Sequence, residues 1–272
     1  GIKPGDRVAV QVEKSIEALM LYLATVRAGG VFLPLNTAYT PTEVEYFLTD
    51  AGPRVFVCDP ARRDTLVPVA EKAGAAIETL GVWTASDKSA GSLSDKALAA
   101  PTTFETVARD AGDLAAILYT SGTTGRSKGA MLTQDNLLSN AEVLRDYWRF
   151  TDKDVLLHAL PIFHTHGLFV ASNTAMIAGG AMIFLPKFDV EEVFRFLPDA
   201  TAMMGVPTFY TRLLADKRLT REATAHMRLF TSGSAPLLAE THKAFEKRTG
   251  LRILERYGMT ETNMSTSNPY DG

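Results

Sequence analysis

The chain has 272 residues, of which 46% are hydrophobic and 22% are charged, and its formal net charge is −3. This composition is typical of a soluble globular protein with a large core. The near balance of charges argues against a nucleic-acid-binding protein, which usually carries a basic face. The single cysteine, Cys58, excludes an intrachain disulfide and a cysteine-rich metal site, and it fits a reducing compartment such as the cytoplasm or the mitochondrial matrix.

The chain carries no sign of membrane insertion or secretion. It has no run of about 18 apolar residues, so no transmembrane helix is predicted. Its first residues lack the pattern of a secretory signal. The chain starts without methionine at Gly1 and stops at Gly272 in loop-like sequence, so we expect both ends to be cuts in a longer protein.

Strand-like and helix-like stretches alternate along most of the chain, which predicts βαβ units and an α/β fold with largely parallel strands. A helix start is predicted at Thr40, because Pro41 at the first helical position and Glu43 three residues after the cap complete a capping box. Strands are predicted at residues 7–12, 31–35, 54–58, 76–80, 114–119, 181–185, 201–206, 228–231 and 251–255. Helices are predicted at residues 15–28, 63–73, 136–147, 190–197, 207–215 and 238–248.

One stretch breaks the alternation. Residues 85–103 are rich in Ser, Ala, Asp and Lys and show little periodicity, which favours a surface linker. We therefore predict a first α/β subdomain at residues 1–110 and a second at residues 111–272.

The sharpest motif spans residues 118–129, where hydroxyl residues, three glycines and two cations follow a predicted strand. Glycines let backbone N–H groups approach an anion, and hydroxyl and ammonium groups can bind phosphate oxygens. It is not a Walker A loop, because Ser127 stands where that motif needs glycine. The predicted phosphate-binding residues are Thr120, Ser121, Gly122, Thr123, Thr124, Gly125 and Lys128.

This motif closely resembles the signature of the adenylate-forming superfamily, which includes acyl-CoA synthetases. The resemblance implies the large N-terminal domain of that fold, with two mostly parallel sheets flanked by helices. It also implies activation of a carboxylate by ATP to acyl-AMP and pyrophosphate, followed by transfer of the acyl group to the thiol of coenzyme A. In that family the loop embraces the β- and γ-phosphates.

Three later segments resemble other motifs of the same family. Residues 161–167 match a Phe-His motif in which His164 lies beside the carboxylate pocket, whereas a metal role for this His-x-His pair lacks a third ligand nearby in sequence. Residues 231–237 match the segment along the adenine, with Ser234, Ala235 and Pro236. Residues 256–261 match the segment in which Tyr257 stacks on adenine beside Gly258 and Met259, Thr260 contacts the α-phosphate and Glu261 binds Mg²⁺, a cation that takes a carboxylate together with phosphate oxygens.

Two arginines indicate which acid is activated. Arg256 and Arg212 could together hold a second carboxylate, and a pocket with buried guanidinium groups would reject neutral acids. This set resembles malonyl-CoA synthetases, in which the matching arginines and Ser234 hold the distal carboxylate. There, Thr165 and Met264 bound the space at the α-carbon, which would distinguish malonate from methylmalonate. The plain alternatives are an exposed helix position for Arg212 and an ion pair with Glu255 for Arg256.

The resemblance also implies parts that lie beyond Gly272: a ribose-binding aspartate, a hinge and a mobile C-terminal domain with a catalytic lysine. We therefore expect residues 1–272 alone to be inactive. Two other functions stay open, a ligase for a fatty, aryl or other short-chain acid and a non-catalytic nucleotide-binding module. A peptide-synthetase domain is disfavoured, because residues 209–213 contain no acid to bind an α-amino group.

Overall fold

The structure is a computed structural model that describes residues 1–84, 86, 90–120 and 126–271. The chain divides into two compact units, Gly1–Asp135 and Asn136–Gly272. Among the described residues, no helix has both the length and the apolar character needed to cross a membrane.

The first unit is built on a six-stranded sheet with the strand order β4-β3-β1-β2-β5-β6. All its neighbouring strands are parallel except β5 and β6, which are antiparallel. The strands are β1 (Arg7–Gln11), β2 (Val31–Pro34), β3 (Val55–Cys58), β4 (Ala76–Thr79), β5 (Leu114–Thr120) and β6 (Lys128–Thr133). The helices are α1 (Ile16–Arg27), α2 (Pro41–Ala51), α3 (Arg63–Lys72) and α4 (Ser92–Leu98), with a 3-10 turn at Pro60–Arg62.

Helix α2 begins as its capping box predicts. Thr40 Oγ1 accepts from the Glu43 N–H at 3.4 Å, and Glu43 Oε2 accepts from the Thr40 N–H at 2.8 Å. Val44 and Leu48 on the inner face of the helix are fully buried, in a core that also contains Phe56 and Cys58. Cys58 is thus a small core residue, and burial raises the pKa of its thiol to about 11.

The division between the units differs from the boundary predicted after residue 110. Strand β5 pairs in parallel with β2, and β6 pairs with β5, so both strands extend the first sheet and the first unit continues to Asp135. The linker prediction is wrong for α4, which packs against β4. Ser92 Oγ donates to Glu78 at 2.6 Å and accepts from the Thr79 N–H at 3.0 Å, and these contacts have no periodic signature in the sequence.

The second unit is also built on a six-stranded sheet, with the order β12-β11-β10-β9-β7-β8, in which only β11 and β12 are antiparallel neighbours. The strands are β7 (Val155–His158), β8 (Ala181–Phe184), β9 (Ala202–Gly205), β10 (Leu229–Ser232), β11 (Ile253–Met259) and β12 (Asn263–Ser267). The helices are α5 (Gln134–Tyr147), whose first two residues belong to the first unit, α6 (Asn173–Ile177), α7 (Val190–Phe196), α8 (Pro207–Leu214) and α9 (Ala239–Thr249). A π-helix at His166–Ser172 leads into α6, and a 3-10 turn lies at Leu197–Asp199.

A partly buried ion pair links three connections of the second unit. Arg228 donates to both carboxylate oxygens of Asp154, at 2.6 and 2.7 Å, and to the Trp148 carbonyl at 3.0 Å. Thr201 Oγ1 donates to Asp154 Oδ1 at 2.7 Å. Burial by itself would raise the pKa of Asp154, but the hydrogen bonds from Arg228, Thr151 and Thr201 lower it below the ordinary value. Two apolar clusters complete this core, one around Phe230 and Phe245 and one around Trp148.

Candidate active site

The parallel strands of the second unit end at one edge of the sheet, where an open cavity of about 460 Å³ lies. The residues that follow β7, β9 and β10 reach this edge, and the end of β11 reaches it too. Ligands of open α/β sheets commonly bind at the carboxyl ends of the strands, because the loops that follow neighbouring strands meet there. The cavity is lined by Leu160, Pro161, His164, Thr165, His166, Gly167, Val206, Ser234, Arg256, Gly258, Met259, Thr260 and Met264.

Arg256 is the buried cation of this cavity. Only 4% of the residue is exposed, and its Nε and Nη2 atoms have no hydrogen-bond partner among the described residues. Burial lowers the pKa of Arg256 to about 10, so the guanidinium stays charged at neutral pH. The alternative ion pair with Glu255 is not formed, because Glu255 Oε1 instead accepts from the Leu237 N–H at 3.1 Å. A charge buried in this way needs an anionic partner.

Gly233 allows the guanidinium to lie where it does. A Cβ atom at this position would be 2.4 Å from Arg256 Cζ and 2.5 Å from Nη1, far inside van der Waals contact. Because Gly233 has no side chain, the planar guanidinium of Arg256 can pack directly against the backbone that follows β10.

Other polar atoms around the cavity also lack partners. Thr165 Oγ1 and His166 Nε2 are buried and unpaired within the described residues. Ser234, whose backbone has φ 68°, lies with its Oγ 3.3 Å from His166 Nδ1. Buried polar groups without hydrogen-bond partners destabilise a folded protein. Such a cluster is therefore typical of a site in which a polar or anionic ligand supplies the missing hydrogen bonds.

His164, Thr165 and Met264 also line the cavity. Partial burial lowers the pKa of His164 below its ordinary value, which favours the neutral imidazole at pH 7. Among the described residues there is no group of three or more His, Cys, Asp or Glu side chains able to hold a metal ion. Both histidines of the His-x-His pair line the cavity.

A second open cavity, of about 500 Å³, shares Ser234, Arg256 and Gly258 with the first. Tyr257 lines it, and 58% of this residue is exposed. An exposed aromatic ring beside a cavity can stack on a planar heterocycle. The remaining lining residues are Ala235, Pro236, Glu255, Thr266 and Asn268.

Thr260 and Glu261 lie in the tight turn between β11 and β12. The hairpin contains a register shift between Tyr257 and Gly258, and a Cβ atom at Gly258 would lie 1.9 Å from the Asn263 carbonyl oxygen. Only glycine fits there. The turn leaves the Glu261 carboxylate exposed beside a small cavity of about 230 Å³, which Asn136, Ser139, Asn140, Val143, Thr262 and Asn263 complete.

The predicted phosphate motif falls mostly outside the described residues. Ser121, Gly122, Thr123, Thr124 and Gly125 belong to the part that the structure does not describe. Its flanks are described: Thr120 ends β5, Lys128 begins β6, and the two are paired across the ladder.

Helix α2 holds both of these strands in the first unit. Tyr119 Oη donates to Asp50 Oδ2 at 2.5 Å, on the strand that enters the motif. Tyr46 Oη donates to the Ser127 carbonyl at 2.7 Å, just before the strand that leaves it. Since Tyr46 and Asp50 are one helical turn apart, the same face of α2 fixes both flanks.

Arg212 lies elsewhere than predicted. It is exposed on α8, with its Cζ 4.7 Å from the centre of the Phe188 ring, and it is not among the lining residues of the cavities described above. Tyr210 and Leu213 occupy the buried face of α8, which turns Arg212 away. The structure therefore does not bring the two predicted arginines together.

Sequence reasoning missed His166 as a cavity residue and Asn140 as a support of Met264. The His-x-His spacing was a usable signal for His166. No local pattern marks Asn140, because its partner Met264 is 124 residues away.

Comparison with known proteins identifies the family. A model described as AMP-binding enzyme matches residues 1–272. The chain belongs to the AMP-binding enzyme family. Among curated relatives, the malonate–CoA ligase of Arabidopsis thaliana is 32% identical over 100% of this chain and 48% of its own length. The chain therefore spans about half the length of such relatives.

Solved structures of family members share the fold. ATP-bound MatB from Rhodopseudomonas palustris is 65% identical, with a TM-score of 0.95 over 100% of this chain and 53% of that one. A malonyl-CoA ligase in a ternary product complex with methylmalonyl-CoA and AMP is 36% identical, with a TM-score of 0.82 over 98% of this chain and 54% of that one. The predicted fold class, the N-terminal domain of adenylate-forming enzymes, is confirmed.

Proposed function

We propose that the complete protein containing this chain is an ATP-dependent carboxylate–CoA ligase that converts malonate, and also methylmalonate, into the acyl-CoA with release of AMP and pyrophosphate. The observation that carries this proposal is the buried Arg256 guanidinium, which faces a cavity without an anionic partner among the described residues. The similarity of the chain to a malonate–CoA ligase, and to a malonyl-CoA ligase solved with methylmalonyl-CoA and AMP, supports it.

In this proposal Arg256 and Ser234 hold the carboxylate that is not activated. Arginine pairs with carboxylates through two parallel N–H donors, and neutral acids would leave the buried charge unpaired. Thr165 and Met264 limit the room at the α-carbon, and the neutral His164 lies beside the reacting carboxylate. Arg212 would join this set only after moving from its exposed position over Phe188.

The nucleotide would occupy the neighbouring cavity. Tyr257 stacks on the adenine beside Ala235, Pro236, Gly258 and Met259, and Thr260 contacts the α-phosphate. The hydroxyl-rich motif from Thr120 to Gly125, together with Lys128, binds the β- and γ-phosphates. Glu261 would hold Mg²⁺, whose charge neutralises phosphate oxygens; its exposed carboxylate fits an ion that takes one carboxylate and otherwise phosphate oxygens and waters.

The reaction needs positioning and charge neutralisation from the protein, and no protein nucleophile. In the first step, a carboxylate oxygen of the acid attacks the α-phosphorus, and the bond to pyrophosphate breaks. In the second step, the thiol of CoA attacks the acyl carbonyl, loses its proton to water and displaces AMP. Because both co-substrates are intracellular and Cys58 is a free thiol, we infer an intracellular setting, in the cytoplasm or the mitochondrial matrix.

ATP–pyrophosphate exchange by the complete protein with a panel of acids tests the proposal. Malonate should support exchange, whereas acetate, octanoate and benzoate should not. Arg256→Leu should reduce malonate-dependent exchange at least about a hundredfold, as the loss of a charge-assisted pair predicts. Arg252→Leu is the matched control, because this exposed arginine pairs with Glu246 away from the cavity.

Two outcomes would favour other functions. Exchange with monocarboxylic acids that survives Arg256→Leu would favour a ligase for another acid. No exchange with any acid would favour a non-catalytic nucleotide-binding module. The complete protein is the appropriate material, because relatives are about twice as long as this chain, and residues 1–272 alone are predicted to be inactive.

A further inference from the structure

His166 contacts Ser234 and lines the same cavity as Arg256, the two groups that the proposed function assigns to the distal carboxylate. It begins the π-helix, is 5% exposed and lines the cavity together with Ser234 and Arg256. Its Nδ1 is 3.3 Å from Ser234 Oγ, and its Nε2 is buried without a partner among the described residues. Such π-helical turns occur often at functional sites.

The charge state of His166 limits what it can do. Burial, and then the positive charge of Arg256, lower the pKa of His166 well below its ordinary value. The ring is therefore neutral at physiological pH and carries a single N–H. It cannot bind an anion as a cation, but the position of that proton decides how Ser234 is used.

Two tautomers give opposite results for a carboxylate in the cavity. When the proton is on Nδ1, His166 donates to Ser234 Oγ, and the hydroxyl proton of Ser234 is free to be donated to the anion beside Arg256. When the proton is on Nε2, the Ser234 hydroxyl donates to Nδ1 and has only lone pairs left, which repel a carboxylate. A bound anion thus favours the proton on Nδ1.

We propose that His166 is a positioning residue, which donates from Nδ1 to Ser234 and so fixes the Ser234 hydroxyl as a donor to the distal carboxylate of the substrate. This inference rests on the proposed function and assigns a specificity-determining group to the same site. His166 acts through Ser234 and has no direct contact with the reacting atoms in this scheme.

Two amide variants of the complete protein separate the nitrogens. The amide nitrogen of Asn reaches roughly where Nδ1 lies, and that of Gln roughly where Nε2 lies. We expect His166→Asn to keep the KM for malonate within about threefold of the wild type. We expect His166→Gln to raise it roughly ten- to a hundredfold, as for a lost hydrogen bond to a charged group, with the KM for ATP unchanged. His226→Gln, at an exposed histidine outside the cavity, is the control and should change neither value.

A double-mutant cycle tests whether the effect passes through Ser234. His166→Gln should raise the KM for malonate in the wild-type background and have no further effect in Ser234→Ala. Additive effects of the two substitutions, or equal effects of Asn and Gln at position 166, would overturn the inference while malonate exchange by the wild type upholds the proposed function. No exchange with any dicarboxylic acid would overturn both.

The tautomer can be measured without turnover. ¹⁵N NMR of histidine-labelled protein with bound malonate should show a protonated Nδ1 and an unprotonated Nε2 for His166. The opposite assignment would contradict the proposal even if the variants were too unstable for kinetics.

Discussion

Asn140 and Met264 exchange two hydrogen bonds: the Asn140 side-chain amide donates to the Met264 carbonyl at 2.9 Å, and the Met264 N–H donates to Asn140 Oδ1 at 3.3 Å. A neighbouring strand would make the same pair of bonds. Asn140 on helix α5 thereby pairs with backbone groups of the edge strand β12. The paired residue, Met264, lines the cavity.

Asn140→Asp should loosen this edge. The carboxylate can still accept from the Met264 N–H, but it cannot donate to the Met264 carbonyl and repels it. We expect the free energy of unfolding to fall by about 1–3 kcal/mol, measured by urea titration, and the KM for malonate to rise. Glu142→Gln, on the exposed face of the same helix, is the control. Equal stability of the two variants would show that the paired bonds are not needed.

Gly233→Ala should displace the Arg256 guanidinium, because the added Cβ would lie 2.4 Å from Cζ. We expect the KM for malonate in pyrophosphate exchange to rise at least about tenfold, which is the effect of losing one charge-assisted hydrogen bond. Gly112→Ala adds the same methyl group where no atom lies within 4 Å and should leave the KM unchanged. An unaltered KM in Gly233→Ala would mean that the guanidinium can bind from another position.

Asp154→Asn should destabilise the fold by about 3–5 kcal/mol, since it leaves the partly buried Arg228 cation without its anion. Thermal unfolding measures this loss. Asp146→Asn is the control, because its pair with Arg145 is exposed and should contribute little.

The same ion pair predicts a pH dependence with a defined sign. The folded-state pKa of Asp154 lies below its ordinary value, so the folded state binds this proton more weakly than the unfolded state does. The stabilisation is complete above the unfolded pKa of about 3.9 and is lost as the pH falls through the lower folded value. Between pH 6 and pH 3, the free energy of unfolding should therefore fall more for the wild type than for Asp154→Asn. Parallel curves would contradict the assignment.

Tyr46→Phe should weaken the use of ATP without affecting the acid. The variant keeps the ring but loses the hydrogen bond to the Ser127 carbonyl next to Lys128. One neutral hydrogen bond is worth about 0.5–1.5 kcal/mol, so the KM for ATP should rise several-fold. Tyr39→Phe, at another ring packed on Phe47, should leave it unchanged. A rise confined to the KM for malonate would contradict the assignment.

Met264→Ala should shift the preference toward methylmalonate. Removal of the longer side chain leaves room for one methyl group beside Thr165 in the cavity. A methyl group is worth roughly tenfold in specificity, so the ratio of kcat/KM for methylmalonate over malonate should rise by about that factor. A ratio that does not change would mean that other residues bound the α-carbon.

Much of the fold follows from local patterns in the sequence. The capping box at Thr40 and Glu43 places the start of α2, and the alternation of apolar strands with amphipathic helices predicts largely parallel strands, whereas the division into two sheets was implied only by the family resemblance. Such features depend on neighbours a few residues apart, which is why periodicity and capping chemistry reveal them. The residues at 118–129 and 256–261 likewise identified the AMP-binding family, because nucleotide chemistry constrains contiguous segments.

Contacts between distant residues decided the rest. Strand β6 belongs to the first sheet because it pairs with β5. The first unit therefore extends to Asp135 and does not end near residue 110. Arg256 and Arg212 look alike in sequence, but β10 and Gly233 bury the first, whereas the packing of Tyr210 and Leu213 leaves the second exposed over Phe188. The sequence alone determined which residue types were available for an anion; only tertiary packing decided which cation lost its water, and desolvation is what makes a guanidinium selective for a carboxylate.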